Sequence, residues 1–274
     1  MLNLAIRGHD LSNINSVSEL AKKTKEQKIS TLQLALGLSF PELPSGTKEI
    51  NPGMGNYFQR TLAEKNVQVG ILSCYINMIH PNLEIREQLL QKFESYIRHA
   101  RYFGASMVAS ETGCVLPEIQ YTEENFTDEV FAETVAVIRR LVKTGEKHKM
   151  VIGIEPGLNH PIYSLDRVEQ LIQSIESDYL GIVLDPTNLI TGETYQSQVD
   201  LVRTAFDRFG EKIVAVHLKD FSVRDGKIIP VPLGEGVIDY LSISKIVQEK
   251  RPFSYVVLEE TKDDFIKRAV ERLK

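Results

Sequence analysis

The sequence predicts an α/β protein built as a (β/α)8 TIM barrel, with residues 1–274 forming one domain. Three observations carry this. Strand-like and helix-like segments alternate from end to end, which is the pattern of parallel strands joined by helical crossovers. Eight such units of about 30 residues fit a chain of 274 residues. Four later apolar runs (Met150–Ile154, Leu180–Leu184, Ile213–Val216 and Tyr255–Leu258) are continuous rather than alternating, as strands buried on both faces are. The competing architecture, an open doubly wound sheet, would need a phosphate or dinucleotide loop after its first strand. Arg7-Gly8-His9-Asp10 is not one.

The elements follow in order. Leu4–Arg7 is a short first strand. Ser16 is an N-cap candidate for a helix reaching Gln27. Thr31–Leu36 is a second strand, followed by a Pro/Gly/Ser-rich loop from Ser39 to Gly55. Asn56–Lys65 reads as a helix and Val67–Tyr75 as a third strand. Leu83–Phe103 carries apolar residues near helical period and reads as one long helix. Ser106–Ser110 is a fourth strand, ending at Glu111. Asp128–Lys147 is a helix. The four continuous apolar runs then supply the remaining strands, with helices near Asp166–Ser177, Gln196–Phe209 and Tyr240–Glu249 between them and Asp264–Leu273 closing the chain. One insertion interrupts the rhythm. Asp225-Gly226, flanked by Phe221-Ser222-Val223 and Lys227-Ile228-Ile229-Pro230, predicts a β-hairpin after the seventh strand. It would be a lid or pocket wall, because barrel sites are built where strands end at the C-terminal face. Asp239 is the N-cap candidate beyond it.

Composition excludes several classes. Apolar residues make up 42% and charged residues 25%, with a formal net charge of −5. That is a globular balance with no electrostatic footprint for nucleic acid. No apolar run reaches the roughly 18 residues needed to span a bilayer, and Met1–Arg7 lacks the pattern of a signal peptide. Cys74 and Cys114 have no zinc spacing, and two cysteines do not make a disulfide scaffold. A reducing, cytoplasmic setting fits. A homo-oligomer is compatible with all of this.

The function is written in the tips of the four continuous strands. They are followed by Glu155, Asp185, His217 and Glu259. Neighbouring strands lie about 4.8 Å apart, so four such tips form an arc at the barrel mouth. Three carboxylates and one imidazole suit one divalent ion that prefers oxygen, such as Mn²⁺, Mg²⁺ or Co²⁺, with Zn²⁺ also accommodated. Without a cation the carboxylates would repel, and at least one would take up a proton. Taken singly, each residue has a plain structural alternative: a helix cap, a turn before Pro186, a core histidine. Glu155 and Glu259, first and last in the arc, would flank a substrate carbonyl and pass protons. Asp185 and His217 would hold the ion. Epimerisation and aldose–ketose isomerisation both follow from such proton transfer.

Ile154-Glu155-Pro156, Leu184-Asp185-Pro186-Thr187-Asn188, Val216-His217-Leu218-Lys219-Asp220, Pro232-Leu233-Gly234-Glu235-Gly236 with Asp239, and Leu258-Glu259 together resemble the xylose isomerase-like barrel superfamily. More narrowly they resemble its sugar phosphate isomerase/epimerase group, which includes ketose 3-epimerases. The resemblance implies that Glu155, Asp185, His217 and Glu259 bind one divalent metal, manganese first, and that Glu155 and Glu259 are the acid/base pair. It implies a small carbohydrate, free or phosphorylated, as substrate. The chain departs from the 3-epimerases at Asn188, where they have a histidine. Arg224 is the candidate for their arginine beyond the metal histidine. The endonuclease IV branch needs extra histidines for three zinc ions, and Glu111 stands where one is wanted. Two other readings remain beside the isomerase: a metal-dependent dehydratase of a keto-inositol, and a sugar-binding barrel without turnover.

Further substrate-contacting candidates are Glu111, Asn188, Lys219, Arg224 and His9. Lys219 follows His217 by two and leaves the strand on the same side. Gln33, within an apolar strand, points either into the barrel or against a helix. His80 and His160 are loop histidines that either reach the mouth or stay at the surface.

Overall fold

The computed structural model describes residues 2–273. Among the described residues nine strands form: β1 (Asn3–Arg7), β2 (Thr31–Ala35), β3 (Gln68–Ser73), β4 (Met107–Glu111), β5 (Val151–Glu155), β6 (Leu180–Leu184), β7 (Ile213–Arg224), β8 (Lys227–Val231) and β9 (Tyr255–Glu259). Eight of them pair in parallel around a closed ring, β1 to β7 in order and then β9 back to β1. β8 stands outside the ring, antiparallel to the extended end of β7. This is the expected TIM barrel with its hairpin insertion. Asp225 and Gly226 both have positive φ, 49° and 72°, as a tight hairpin turn between right-twisted strands requires.

Helix starts follow local chemistry. Ser16, Asn51, Asn82, Thr127, Ser164 and Asp239 each accept a hydrogen bond from a first-turn backbone N–H of the helix they precede, a cap worth about 1 kcal/mol. Ser16 and Asp239 were legible as caps. Asn51-Pro52 was not, and the predicted loop to Gly55 is shorter than expected: the helix Pro52–Ala63 begins inside it. The cap and a proline in the first turn outweigh the glycines there. The long helix that starts at Leu83 is also cut, ending at His99 before a 3₁₀ turn over Ala100–Phe103.

Two apolar layers result. The larger lies between ring and helices. The smaller lies inside the ring and consists of Ala5, Ile71, Met107, Ala109, Val183, Ala215 and Val257. These are mostly small because eight strands leave a narrow interior. Gly153 belongs to the same layer, where an added Cβ would press on Val183 and Ala109 at 3.0 and 3.1 Å.

Two expectations about the strand tips need correction. His217 does not end its strand. β7 runs on to Arg224 to form the hairpin, so His217 sits mid-strand. Nor are the four tips at equivalent register. Ile154 is level with Ile182, Leu184 with Val216, His217 with Val257, and Lys219 with Glu259. Asp185 therefore lies two residues higher than the level of Glu155, and Glu259 two residues higher than that of His217. Strands in a closed barrel tilt, and neighbours are staggered. A step of two keeps each side chain on the inner face.

Candidate metal centre and its cavity

The inner face turns from apolar to polar within one pleat. Two residues beyond Ala5, Ala109, Gly153, Val183, Ala215 and Val257 come Arg7, Glu111, Glu155, Asp185, His217 and Glu259. Period two puts each on the same side as its apolar predecessor, so all six project from the rim toward the axis. Burial is nearly complete for Arg7, Glu155, Asp185, His217 and Glu259, while Glu111 is partly open.

Four of these converge. One ligand atom from each of Glu155, Asp185, His217 and Glu259 lies within 4.8 Å of the others. His217 Nδ1 is 2.6 Å from Glu259 Oε2 and 3.4 Å from Glu155 Oε1. Neither approach has the direction of a hydrogen bond, and His217 Nδ1 is left as a buried atom without a hydrogen-bond partner. The opposite ring nitrogen of His217 is fixed. Nε2 lies 3.0 Å from Gln33 Oε1, and Gln33 Nε2 donates to Tyr75 Oη at 2.9 Å. Since the Gln33 oxygen only accepts, Nε2 carries the proton and Nδ1 presents its lone pair in the neutral ring. Gln33 thus points into the barrel. Asp185 divides its two oxygens. Oδ1 accepts from Thr187 N at 2.8 Å, closing the turn that Pro186 suggested, while Oδ2 faces the cluster.

The expectation that only a bound cation could relieve repulsion here is corrected. The chain brings its own cations. Lys219 Nζ lies 2.8 Å from Asp185 Oδ2 and 2.9 Å from Glu259 Oε1, and it donates to Asn188 Oδ1 at 2.8 Å. Arg7 Nη1 is 3.0 Å from Glu259 Oε1, and the same guanidinium bridges Asp10 and Glu260. Parallel register places Lys219 beside Glu259 and Arg7 beside Gln33.

These charges split the two glutamates. Burial disfavours the ionised form of both. At Glu259 the charges of His217, Lys219 and Arg7 outweigh burial and hold the carboxyl well below the usual range. At Glu155 burial prevails over His217, and repulsion from Glu259 and Glu111 adds to it, so the carboxyl is raised. Asp185 is raised by burial despite Lys219. Burial also opposes a charge on His217, yet Glu155 and Glu259 lift its pKa to about 10.

The donor set fits a divalent ion. Three carboxylates and an oriented imidazole converge, with His217 Nδ1 turned toward Glu155 and Glu259 and Asp185 Oδ2 turned toward Lys219 at the point of convergence. Lys219 is the stand-in cation that such an ion would meet.

A cavity of about 350 Å³ opens beside the cluster, lined by Glu111, Gly157, Leu158, Asn159, His160, Thr187, Asn188, Ile190 and Lys219, with Ile228 and Pro230 of the hairpin. The hairpin therefore is a wall of the cavity. Asn188 donates to Glu155 Oε1 at 2.9 Å while accepting from Lys219, so it ties the two together. His160 is buried, with Nδ1 2.8 Å from Gly113 O and Nε2 3.7 Å from Glu111 Oε1. Glu111, Asn188 and Lys219 thus gather at the cavity, and His160 joins them. His9 does not line it. It sits in the 3₁₀ turn after β1, Nδ1 buried without a partner, its pKa lowered to about 4 by burial and Arg7. Arg224 is exposed at the hairpin tip opposite Lys227. His80 is engaged locally with Asn82. Arg7, which the sequence places at the end of the first strand as a residue that could face the pocket, does reach the cluster. Its polar side chain two residues past Ala5 was the available signal.

The family described as xylose isomerase-like TIM barrel matches residues 33–274. Among curated proteins no significant sequence match is found. Solved structures share the fold at low identity. The probable 3-DHS dehydratase AsbF of Bacillus anthracis, involved in petrobactin synthesis, is 17% identical with a TM-score of 0.75, covering 99% of this chain and 98% of that one. A D-tagatose 3-epimerase-like protein is 16% identical with a TM-score of 0.75, over 99% and 96%. The IOLI protein, solved with a bound zinc atom, is 15% identical with a TM-score of 0.73, over 99% and 94%.

Proposed function

From the premise that this chain belongs to the xylose isomerase-like TIM barrel family, we propose that it is a divalent-metal-dependent isomerase or epimerase of a small polyhydroxy carbonyl compound. The observation that carries the reading is the convergence of Glu155, Asp185, His217 and Glu259 on one point beside the cavity at the barrel mouth.

Glu155, Asp185 Oδ2, His217 Nδ1 and Glu259 would hold the ion, with Mn²⁺ the first candidate and Mg²⁺, Co²⁺ or Zn²⁺ alternatives for so oxygen-rich a set. When bound, such an ion supplies Lewis-acid polarisation of a carbonyl and acidifies the adjacent C–H. Glu259, flanked by Lys219 and Arg7, would accept that proton, and Glu155, hydrogen-bonded by Asn188, would return one. Asn188 and Lys219 position the two carboxyls, and the hairpin residues Ile228 and Pro230 shield the cavity from water. The zinc of the IOLI structure and the epimerase-like neighbour support this reading by analogy of fold. Two free, buried cysteines fit a reducing, cytoplasmic setting.

A dehydratase is the second reading. The observation favouring it is His160 beside Glu111, a further acid that could protonate a leaving hydroxyl, and one neighbour is a probable dehydratase. The deciding experiment incubates Mn²⁺-loaded protein with a panel of ketoses in deuterated water. Exchange of a C–H for deuterium, lost in Glu259→Gln while the ion stays bound, is expected. A new ultraviolet enone band would favour dehydration. No exchange and no new band across the panel would sink the proton-transfer reading.

A further inference from the structure

The direction of one buried amide decides whether His217 can serve an ion. Gln33 is 1% exposed and lies on β2, paired in register with Arg7 of β1 and Ile71 of β3. Its two ends meet different partners. Oε1 is 3.0 Å from His217 Nε2, and Nε2 donates to Tyr75 Oη at 2.9 Å. The accepting and donating ends of an amide have nearly the same shape. Turned over, Gln33 would offer its NH₂ to the ring, His217 Nε2 would have to accept, and the ring proton would sit on Nδ1. That is the nitrogen turned toward Glu155 and Glu259, and a protonated Nδ1 cannot bind a metal.

Tyr75 holds the amide the right way round. It stands two residues past the end of β3 and is half-buried. Desolvation and the charges of Glu155 and Glu259 raise its pKa, so it stays a neutral hydroxyl. The Ser73 side chain, buried at the last position of β3, interacts with that hydroxyl and offers an acceptor for its proton. The Tyr75 oxygen is then left to accept from Gln33. Without that acceptor each direction of the amide keeps one hydrogen bond, and an unpaired buried N–H is the less tolerated remainder. The amide is then free to turn over, and Nδ1 is withdrawn from the ion.

We infer that Tyr75 is a positioning residue for the metal site, acting through Gln33 to keep His217 Nδ1 free for the ion. The inference rests on the metal reading of the cluster. Its distinctive consequence is coupling: Tyr75 matters only while position 33 carries an amide. A carboxylate there accepts through either oxygen, so in Gln33→Glu the direction ceases to matter. A residue that merely packed beside β2 would be felt equally in both backgrounds.

The test is calorimetric titration of Mn²⁺ into wild type, Tyr75→Phe, Gln33→Glu and the double variant. Tyr75→Phe removes one hydroxyl and should weaken Mn²⁺ binding by about tenfold, the lower end of what an outer partner contributes. In the Gln33→Glu background the same change should alter affinity by less than about threefold. Full affinity in Tyr75→Phe, or equal losses in the two backgrounds, would overturn the inference. A second readout needs no metal. In metal-free protein carrying ¹⁵N-labelled histidine, the Nε2–H of His217 should exchange slowly with water, and faster in Tyr75→Phe. If the wild type takes up no Mn²⁺, the metal reading has failed, and that exchange still decides: a faster rate in the variant upholds the role of Tyr75, and an unchanged rate refutes it.

Discussion

Lys219 Nζ lies 2.8 Å from Asp185 Oδ2, the one oxygen of that carboxylate not already committed to the Thr187 amide. An ion in the cluster must compete for it. Lys219→Met should therefore tighten Mn²⁺ binding by at least about tenfold. That is a modest part of the ~4 kcal/mol between unit charges 4 Å apart at an effective dielectric of 20. Isothermal calorimetry reads the change. Unchanged or weaker binding would mean that the ammonium and the ion do not share that oxygen.

Gln33 orients the His217 ring from behind, through Nε2. Gln33→Leu removes the acceptor and frees the ring to rotate. Loss of such an outer partner typically costs 10- to 100-fold in metal affinity, and that range is expected here. Gln33→Glu restores an acceptor and should recover most of the loss. Equal affinity in Gln33→Leu and wild type would remove His217 Nδ1 from the ligand set.

His217 shows how pH enters. Its folded pKa of about 10 lies above the unfolded value of ~6.5. In the metal-free protein its contribution to stability is therefore complete below pH ~6.5 and is lost as pH rises through about 10. Metal binding has the opposite sign, because the ion needs the unprotonated Nδ1. Between those limits one proton should leave on binding, and affinity should rise about tenfold per pH unit. Calorimetry in two buffers of different ionisation enthalpy counts the proton. A count of zero would contradict a protonated His217 in the resting site.

Gly192 meets the hairpin tip. A Cβ there would overlap the Gly226 carbonyl, so Gly192→Ala must push the tip away and tilt the wall that carries Ile228 and Pro230. The expected result is a KM raised roughly three- to tenfold with metal affinity intact, since the remote packing positions substrate rather than ion. A normal KM with altered metal binding would show that the hairpin acts on the cluster and not on the cavity.

Much of this molecule was legible before folding was considered. Alternating segments and continuous apolar runs specify a parallel barrel, and Asp225-Gly226 specifies the hairpin, because both signals are local. The four convergent ligand types, Glu155, Asp185, His217 and Glu259, were legible from polar residues ending apolar runs. So was the pull toward protonation of at least one carboxyl, which falls on Glu155 and Asp185. Tertiary structure alone decided the rest. Strand tilt staggered the tips by two residues, and an even step keeps the inner face. Ring closure brought Arg7 and Gln33 of the first two strands against Glu259 and His217, more than 180 positions away. Lys219, read as a substrate contact, became the internal counter-ion of Asp185 and Glu259, and this removed the argument that bare repulsion demands a metal. Such pairings depend on which side chains share a desolvated volume. That volume is set by closure of the barrel, and no local window of sequence contains it.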